Sequence, residues 1–285
     1  MKTANIMGER IKPVRAPDLK TKKRRGEKIT MLTAYDATMA GLLDRAGIDV
    51  LLVGDSLGMV VEGHDSTIPV TLDAMIHHTR AVSRGTKRAL VVGDMPFMTY
   101  QTGVEDAVRN AGRLIQEGGA GAVKIEGGRP VLDVAARLND VGIPVMGHLG
   151  LTPQSVLRLG GFRPQARTSE DANELIAEAQ TLEAAGVFAL VLESIPAEVA
   201  ATVSRDLTIP TIGIGAGPYC DGQVLVSYDA FGMFDKFVPS FVKQYARLGE
   251  EIIGATEEYI NDVREGRFPA HEHTVSAVTR RSGRD

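Results

Sequence analysis

VLLVGD, residues 50–55, and ALVVGD, residues 89–94, are nearly the same phrase, and their reading decides the fold. Each is a run of four apolar residues closed by glycine and aspartate. A run this short, apolar on both parities, reads as a strand buried on both faces, as in a parallel sheet. Working outward, AVKIE (122–126) ends at Glu126, FALVLE (188–193) at Glu193 and IPVMGH (143–148) at His148. In a closed parallel barrel the strand C-termini open on one face, and that face carries the active site. Four carboxylates and an imidazole are therefore expected to meet. Acids crowded in this way repel one another, so they call for a cation or a proton-transfer task.

Helical stretches separate the runs. ATMAGLLDRAG (37–47) is closed by Gly47 as a C-terminal cap, and VTLDAMIHHTRAVSRG (70–85) opens on Thr71 and ends at Gly85. VEDAVRNAGRLIQEGG (104–119), RPVLDVAARLNDVG (129–142), SEDANELIAEAQTLEAAG (169–186) and PAEVAATVSRDL (196–207) follow the later runs. KITMLTAYD (28–36) reads as the first strand with its exit loop, IPTIGIGAG (209–217) as the seventh and QVLVSYD (223–229) as a candidate eighth. Strict alternation argues a parallel α/β fold, and a count near eight argues a closed (β/α)8 TIM-type barrel. One feature resists. Only GPYCDG (217–222) separates the seventh run from the eighth, whereas a parallel crossover normally takes a dozen or more residues. Either the last strand lies elsewhere or this unit is irregular. The expected organisation is a polar, basic N-terminal arm over 1–28, a single barrel domain over 29–268 and a polar tail over 269–285. The arm contains KTKKRRGEK (20–28) and reads as a solvated segment or a short helix before the first strand.

Composition bounds the function. The chain has 285 residues, 44% hydrophobic and 24% charged, with a net charge of −4, which is ordinary for a globular protein. No excess of positive charge draws the molecule toward nucleic acid or anionic membranes. Tryptophan is absent and aromatics are 5%, so no stacking platform for bases is expected. No apolar run is long enough to span a bilayer. MKTANIMGERIK (1–12) lacks the apolar stretch of a secretory signal. The single Cys220 has no partner for an intrachain disulfide, which fits a reducing cytoplasm.

Among the strand-end residues, Asp55 and Asp94 offer hard oxygen donors without nearby cysteine or several histidines, which suits magnesium above zinc. Each could instead cap the next helix. With Glu126 on a third strand end, the metal reading is the stronger. Lys124 and Glu126 stand two apart and so share one face of a strand. They could form a simple internal ion pair. The functional reading gives Lys124 to an anionic substrate and Glu126 to the outer shell of a metal site, and a Schiff-base lysine is a third reading. His148 gains functional weight from its place at a strand terminus. Glu193 closes the strongest β run, and apolar Val191 and Leu192 would raise its carboxyl toward a useful base. His77 and His78 in a helix, and His271 and His273 in the tail, carry no chemistry in this reading. His64 lies in a loop, SLGMVVEGHDSTIPV (56–70), that should overhang the mouth. GIGAG (213–217) either cradles phosphate or turns tightly, and it comes too late in the chain for a dinucleotide fold. Cys220, with no histidine partner in view, reads as a bystander thiol.

Taken together, MLTAYD, LLVGDSLGMVVEGHDSTIPVT, DMPFMTY, VKIEGG, PVMGHLGLTPQS, VLES, IPTIGIGAG and DGQVLV, in this order, resemble the ketopantoate hydroxymethyltransferase family over about residues 28–270. The resemblance implies a barrel of the phosphoenolpyruvate/pyruvate kind. It implies transfer of a hydroxymethyl group from 5,10-methylenetetrahydrofolate to 3-methyl-2-oxobutanoate, through a Mg²⁺-stabilised enolate, on the route to pantothenate and coenzyme A. Carried onto this chain, it makes Asp55 and Asp94 magnesium ligands that hold the substrate through the ion. Ser56 becomes a contact to the substrate carboxylate, Lys124 and His148 become further substrate contacts, Glu126 a metal-site acid and Glu193 the general base. The partners implied are a small 2-oxo acid and a folate, without nucleic acid or membrane, in a homo-oligomer, by resemblance a decamer. A departure lies in GGFRPQAR (160–167), where relatives read close to GG(Y/F)(K/R)VQG. Pro164 fixes φ, and Ala166 lacks glycine's freedom to take positive φ. Two other readings stand beside this one: a folate-independent, metal-dependent carbon–carbon lyase or mutase acting on another 2-oxo acid, and a non-catalytic oxo-acid-binding protein.

Overall fold

The computed structural model describes residues 12–275. Its strands are β1 (Ile29–Thr33), β2 (Val50–Val53), β3 (Leu90–Asp94), β4 (Ala122–Lys124), β5 (Val145–Gly150), β6 (Ala189–Glu193), β7 (Thr211–Ile214) and β8 (Gly222–Leu225). They pair in sequence order, all parallel, into a closed barrel. The expected (β/α)8 architecture is what the chain adopts.

Local chemistry sets the helix boundaries. Asp36 accepts from the Met39 N–H at 2.8 Å and starts the helix Ala37–Ala46, which Gly47 caps at its end. Thr71 accepts from the Ala74 N–H at 3.1 Å, and Thr168 from the Asp171 N–H at 3.1 Å, so both helices begin with an orphan backbone donor satisfied. Pro196 stands just before the helix Ala197–Asp206, where its missing N–H costs nothing.

The eighth unit is irregular. Gly222 of β8 pairs with Ile212 of β7 on one side and with Ile29 of β1 on the other, which closes the barrel without an intervening helix. Seven residues, 215–221, make the return. Extended chain covers ~3.3–3.6 Å per residue, so seven residues reach roughly 23–25 Å. A four-residue strand is only about 13 Å long, so the short link suffices. GIGAG serves this turn: a Cβ on Gly217 would sit 2.5 Å from the Ala197 Cβ, in a backbone with φ of 76°. Cys220 lies buried in this link, its thiol pushed up by burial.

The barrel interior is filled by alternate residues: Met31; Val50 and Leu52; Leu90 and Val92; Ala122; Met146; Ala189 and Val191; Ile212; Val224. Ala16 and Leu19 join the same cluster from outside the barrel sequence. They belong to the helix Ala16–Arg24, and Leu19 is fully buried. The basic arm is thus a helix over this span, laid across the N-terminal end of the barrel rather than left in solvent. Its lysines are used there. Lys22 pairs with Asp49 at 3.0 Å. Lys23 donates to the Ser204 and Ile209 carbonyls at 2.6 and 3.0 Å and pairs with Asp221 at 2.9 Å.

The chain divides into two compact units, one running to Ser227 with Ser240–Val242, the other comprising Tyr228–Pro239 and the residues from Lys243 onward. The second contains the helix Leu248–Arg264, none of whose residues is buried. No described helix is long and apolar enough to cross a membrane.

Candidate active site

The inward rows of the strands continue into the mouth. Val92 leads to Asp94, Ala122 to Lys124 and Glu126, Met146 to His148, and Val191 to Glu193, each at a spacing of two. Asp55 is out of phase with its row, which runs from Val50 through Leu52 to Gly54. Strand β2 stops at Val53, and the turn at Gly54 brings Asp55 in. There the Asp55 N–H donates to Asp94 Oδ2 at 3.0 Å, which ties the two strand ends together. Asp55, Asp94, Lys124, Glu126 and His148 are all buried, and the Glu193 side chain is 16% exposed.

Charges share partners here. Lys124 Nζ lies 3.0 Å from Asp94 Oδ1 and 3.5 Å from Glu126 Oε1. His148 Nδ1 lies 3.3 Å from Glu126 Oε1, and its Nε2 lies 3.2 Å from Glu193 Oε2. These are ion-pair contacts without hydrogen-bond alignment. Among the described residues five buried side-chain polar atoms lack a hydrogen bond, and Asp94 Oδ1, Glu126 Oε1 and His148 Nε2 are three of them. Buried polar atoms in a native fold are usually satisfied, so atoms of this kind clustered at one place mark a binding or catalytic centre.

The crowding drives the ionisations apart. Burial, followed by the Asp94 and Glu126 charges, holds Asp55 well above the usual carboxylate range. Burial also raises Asp94, against the pull of Lys124. Glu126 meets the same burial, but Lys124, His148 and the Gln154 N–H outweigh it and hold Glu126 low. Burial works against a charged Lys124, yet the Asp94, Glu126 and Asp55 carboxylates overcome it and raise the ammonium above its ordinary value. Burial and Lys124 likewise oppose a charged His148, but Glu126 and Glu193 raise it to about 9. The carboxylates around Lys124 favour its ammonium form, which is poorly nucleophilic, and its Nζ stands 3.3 Å from His148 Nδ1.

Ser56 Oγ is 2.9 Å from the Tyr35 hydroxyl. His64 pairs with Glu62 at 3.3 Å, and His78 Nδ1 lies 2.7 Å from the Tyr35 carbonyl. His77 lies against His78, and His271 and His273 belong to the second unit. Among the described residues, His64, His77 and His78 make no hydrogen bond or ion pair with the strand-end residues.

Two residues of this centre were not legible as candidates. Gln154, in the loop after β5, and Tyr100, after β3, are both buried between the acids. The Gln154 side chain donates to Asp55 Oδ2 at 2.8 Å and to the Met95 carbonyl at 2.9 Å, and its backbone N–H donates to Glu126 Oε2 at 3.1 Å. The Tyr100 hydroxyl donates to Gln154 Oε1 at 2.7 Å and accepts from the Glu126 N–H at 3.1 Å. Burial and the charge of Glu126 raise the Tyr100 phenol well above its ordinary value, so it remains a donor. The only sequence signal was that both residues sit just past strand C-termini.

The loop 160–167 also meets the strand ends. Ala166 is buried with φ of 53°, the left-handed conformation that alanine was expected to resist. The Gln165 N–H donates to the Ser194 carbonyl at 2.9 Å, and Ser194 is itself left-handed at φ of 49°. Strain of this kind persists where surrounding contacts enforce it, and it gathers at functional sites. Here it falls next to Glu193.

Hard-cation chemistry fits the donors present. Asp55 and Asp94 supply carboxylate oxygens, and Asp94 Oδ1 has no aligned hydrogen bond, its one near partner being the Lys124 ammonium at 3.0 Å. No group of three or more His, Cys, Asp or Glu is arranged to hold a metal ion among the described residues. Magnesium typically takes one or two carboxylates and completes its shell with water and substrate, which such a pair allows.

The closed parallel barrel with charged groups at its strand C-termini is a (β/α)8-barrel of the kind that carries enzyme active sites at that face. Solved structures of a phosphonopyruvate hydrolase complex with oxalate and Mg²⁺ (TM-score 0.59, 13% identity, covering 93% of this chain and 92% of that one) and of 2,3-dimethylmalate lyase (TM-score 0.58, 18% identity, 91% of each) share the fold. Within that class, the family model of ketopantoate hydroxymethyltransferase matches residues 13–271, and the chain belongs to this enzyme family. Curated relatives named 3-methyl-2-oxobutanoate hydroxymethyltransferase include that of Moorella thermoacetica, 59% identical over 92% of this chain and 97% of its own length. That of Syntrophus aciditrophicus is 57% identical over 88% and 93%.

Proposed function

We propose that this chain transfers a hydroxymethyl group from 5,10-methylenetetrahydrofolate to 3-methyl-2-oxobutanoate, giving 2-dehydropantoate at the first step of pantothenate biosynthesis. The observation that carries the reading is the chain of charge Glu126–His148–Glu193 beside the Asp55–Asp94 pair, in a member of this family. Asp55 and Asp94 would hold Mg²⁺, with Glu126 as an outer acid that keeps Lys124 and His148 charged. Bound there, the ion would supply Lewis acidity to the keto group of the 2-oxo acid. Lys124, an ammonium rather than a free amine, contacts the anionic substrate and does not form an imine. Ser56 offers a hydroxyl to the substrate carboxylate. Glu193, 3.2 Å from His148 Nε2, removes the C3 proton. The C3 carbon attacks the methylene carbon of the folate iminium, whose C=N electrons pass to nitrogen; water then replaces that nitrogen on the methylene carbon, which leaves the hydroxyl on the product and releases tetrahydrofolate. A cytoplasmic homo-oligomer belongs to this reading. Ile252, Ile253 and Tyr259 are exposed on the helix Leu248–Arg264, a surface of the kind another copy covers.

The test is product formation by the pure protein. It should require both methylenetetrahydrofolate and a divalent cation, be abolished by EDTA and return with excess Mg²⁺. Turnover of another 2-oxo acid without folate would establish the lyase or mutase reading instead.

A further inference from the structure

We propose that Gln154 is the positioning residue that makes Asp55 a one-oxygen ligand, and that it thereby sets how tightly and how selectively the site takes its cation. The inference rests on the reading that Asp55 and Asp94 hold a divalent ion.

The argument starts from hydrogen-bond capacity. A carboxamide has two donors and an acceptor oxygen with two lone pairs. All are spent in Gln154. Nε2 donates to Asp55 Oδ2 and to the Met95 carbonyl, while Oε1 accepts from the Tyr100 hydroxyl at 2.7 Å and from Gln101 Nε2 at 3.3 Å. The orientation follows from this set. Turned over, the amide would place its oxygen against Asp55 Oδ2 and the Met95 carbonyl, three acceptors together, and its NH₂ against the Gln101 amide. In a buried site such a mismatch is costly. Tyr100 is locked in turn by the backbone N–H of Glu126.

The consequence falls on Asp55. One of its two oxygens is committed to an amide proton, leaving Oδ1 as the oxygen outside the brace. The same pattern recurs at the other acids. Asp94 Oδ2 is committed to the Asp55 N–H and Glu126 Oε2 to the Gln154 N–H, while Asp94 Oδ1 and Glu126 Oε1 have no aligned hydrogen bond and face only the cationic side chains of Lys124 and His148. A carboxylate with one oxygen tied binds an ion through the other. That suits Mg²⁺, which demands near-octahedral geometry, and disfavours the bidentate carboxylates that Ca²⁺ accepts. Partners that orient metal ligands in this way typically contribute 10–100-fold to metal affinity.

The experiment measures metal binding without turnover. Mn²⁺ binding to the full-length protein is followed by electron paramagnetic resonance, with Mg²⁺ and Ca²⁺ as competitors, for the wild type and Gln154→Met. Methionine nearly matches the length and volume of glutamine but donates nothing. The expected result is a fall in Mg²⁺ affinity of roughly 10–100-fold with a much smaller loss for Ca²⁺, so that the Ca²⁺/Mg²⁺ preference rises about tenfold. A merely structural defect would weaken both ions alike. Tyr100→Phe keeps the amide but removes one bond that orients it, and should shift the ratio the same way by less, so a poorly folded Gln154→Met does not end the test. Unchanged Mg²⁺ affinity in both variants, or a parallel loss for both ions, overturns the inference while leaving the metal reading intact. Failure of the wild type to bind any divalent ion overturns the metal reading itself.

Discussion

The two ends of the barrel are both rich in charge, and they use it differently. At the N-terminal end Asp49 and Asp221 are each held by a lysine together with hydroxyl and backbone donors. Asp49 meets Lys22 at 3.0 Å and also accepts from the Thr30 N–H and hydroxyl. Asp221 meets Lys23 and accepts from the Thr211 N–H. At the C-terminal end the partners are shared: Lys124 stands between Asp94 and Glu126, and His148 between Glu126 and Glu193. Oxygens remain without hydrogen bonds, and neighbouring carboxylates are driven in opposite directions. The same strands thus carry stability at one end and reactivity at the other, the usual division in this architecture.

Four substitutions can break or sharpen that contrast. The largest effect is expected from Glu193→Gln, which keeps size and removes the proposed base. Turnover, and exchange of the C3 hydrogen of 3-methyl-2-oxobutanoate in D₂O, should fall by roughly 10²–10⁴, with unfolding unchanged. Exchange near the wild-type rate would move the base to another residue. At the opposite end, Leu19→Ala empties a fully buried position and should cost about 2–5 kcal/mol in denaturant unfolding, while turnover per folded molecule stays the same. A loss of turnover with intact stability would contradict the division. Lys23→Met strips Asp221 and two carbonyls of one shared donor, and about 1–3 kcal/mol of stability should go with it. The smallest effect has the opposite sign. Asp55 is held above its ordinary value by burial and its acidic neighbours, so its ionised form is less favourable in the folded chain than in the unfolded one, and that penalty applies as pH rises above the ordinary carboxylate range. Asp55→Asn should therefore raise stability at neutral pH by about 0.5–2 kcal/mol while abolishing activity. A thermal melt that shows a loss instead would mean that Asp55 is as well partnered as the acids below.

Much of this division is legible in the chain. Period-two alternation carries Asp94, Lys124, Glu126, His148 and Glu193 onto inward rows, because a strand leaves a side chain only two faces. The repeated VGD is less transparent. Strand β3 runs to Asp94 whereas β2 stops at Val53, so equivalent letters reach the mouth by different backbone routes. Gln154 and Tyr100 escape sequence reading because loop residues gain their role from what other strands bring beside them. The helix Ala16–Arg24 was obscured by its composition. Only Ala16 and Leu19 are buried, and the lysines that look solvated are paired with Asp49 and Asp221. The short link before β8 looked too short by the ordinary crossover rule, which assumes a helix the barrel does not use here. Ala166 adopts the backbone expected to need glycine, held by burial and by the neighbouring Gln165–Ser194 bond.

The N-terminal helix has a further consequence, in time rather than in space. Lys23 and Asp221 are 198 positions apart, and β1 waits for β8 across a similar distance. At synthesis rates of about 5–20 residues per second, roughly 10–40 s pass between the two partners. Throughout that interval β1 has one unpaired edge, the kind that recruits strands from other chains. The lysine-rich helix preceding it places like charge beside that edge. Two nascent chains therefore repel at the point where they could pair. Lys22 meets Asp49 early in the chain, whereas Lys23 finds Ser204, Ile209 and Asp221 only when the barrel closes.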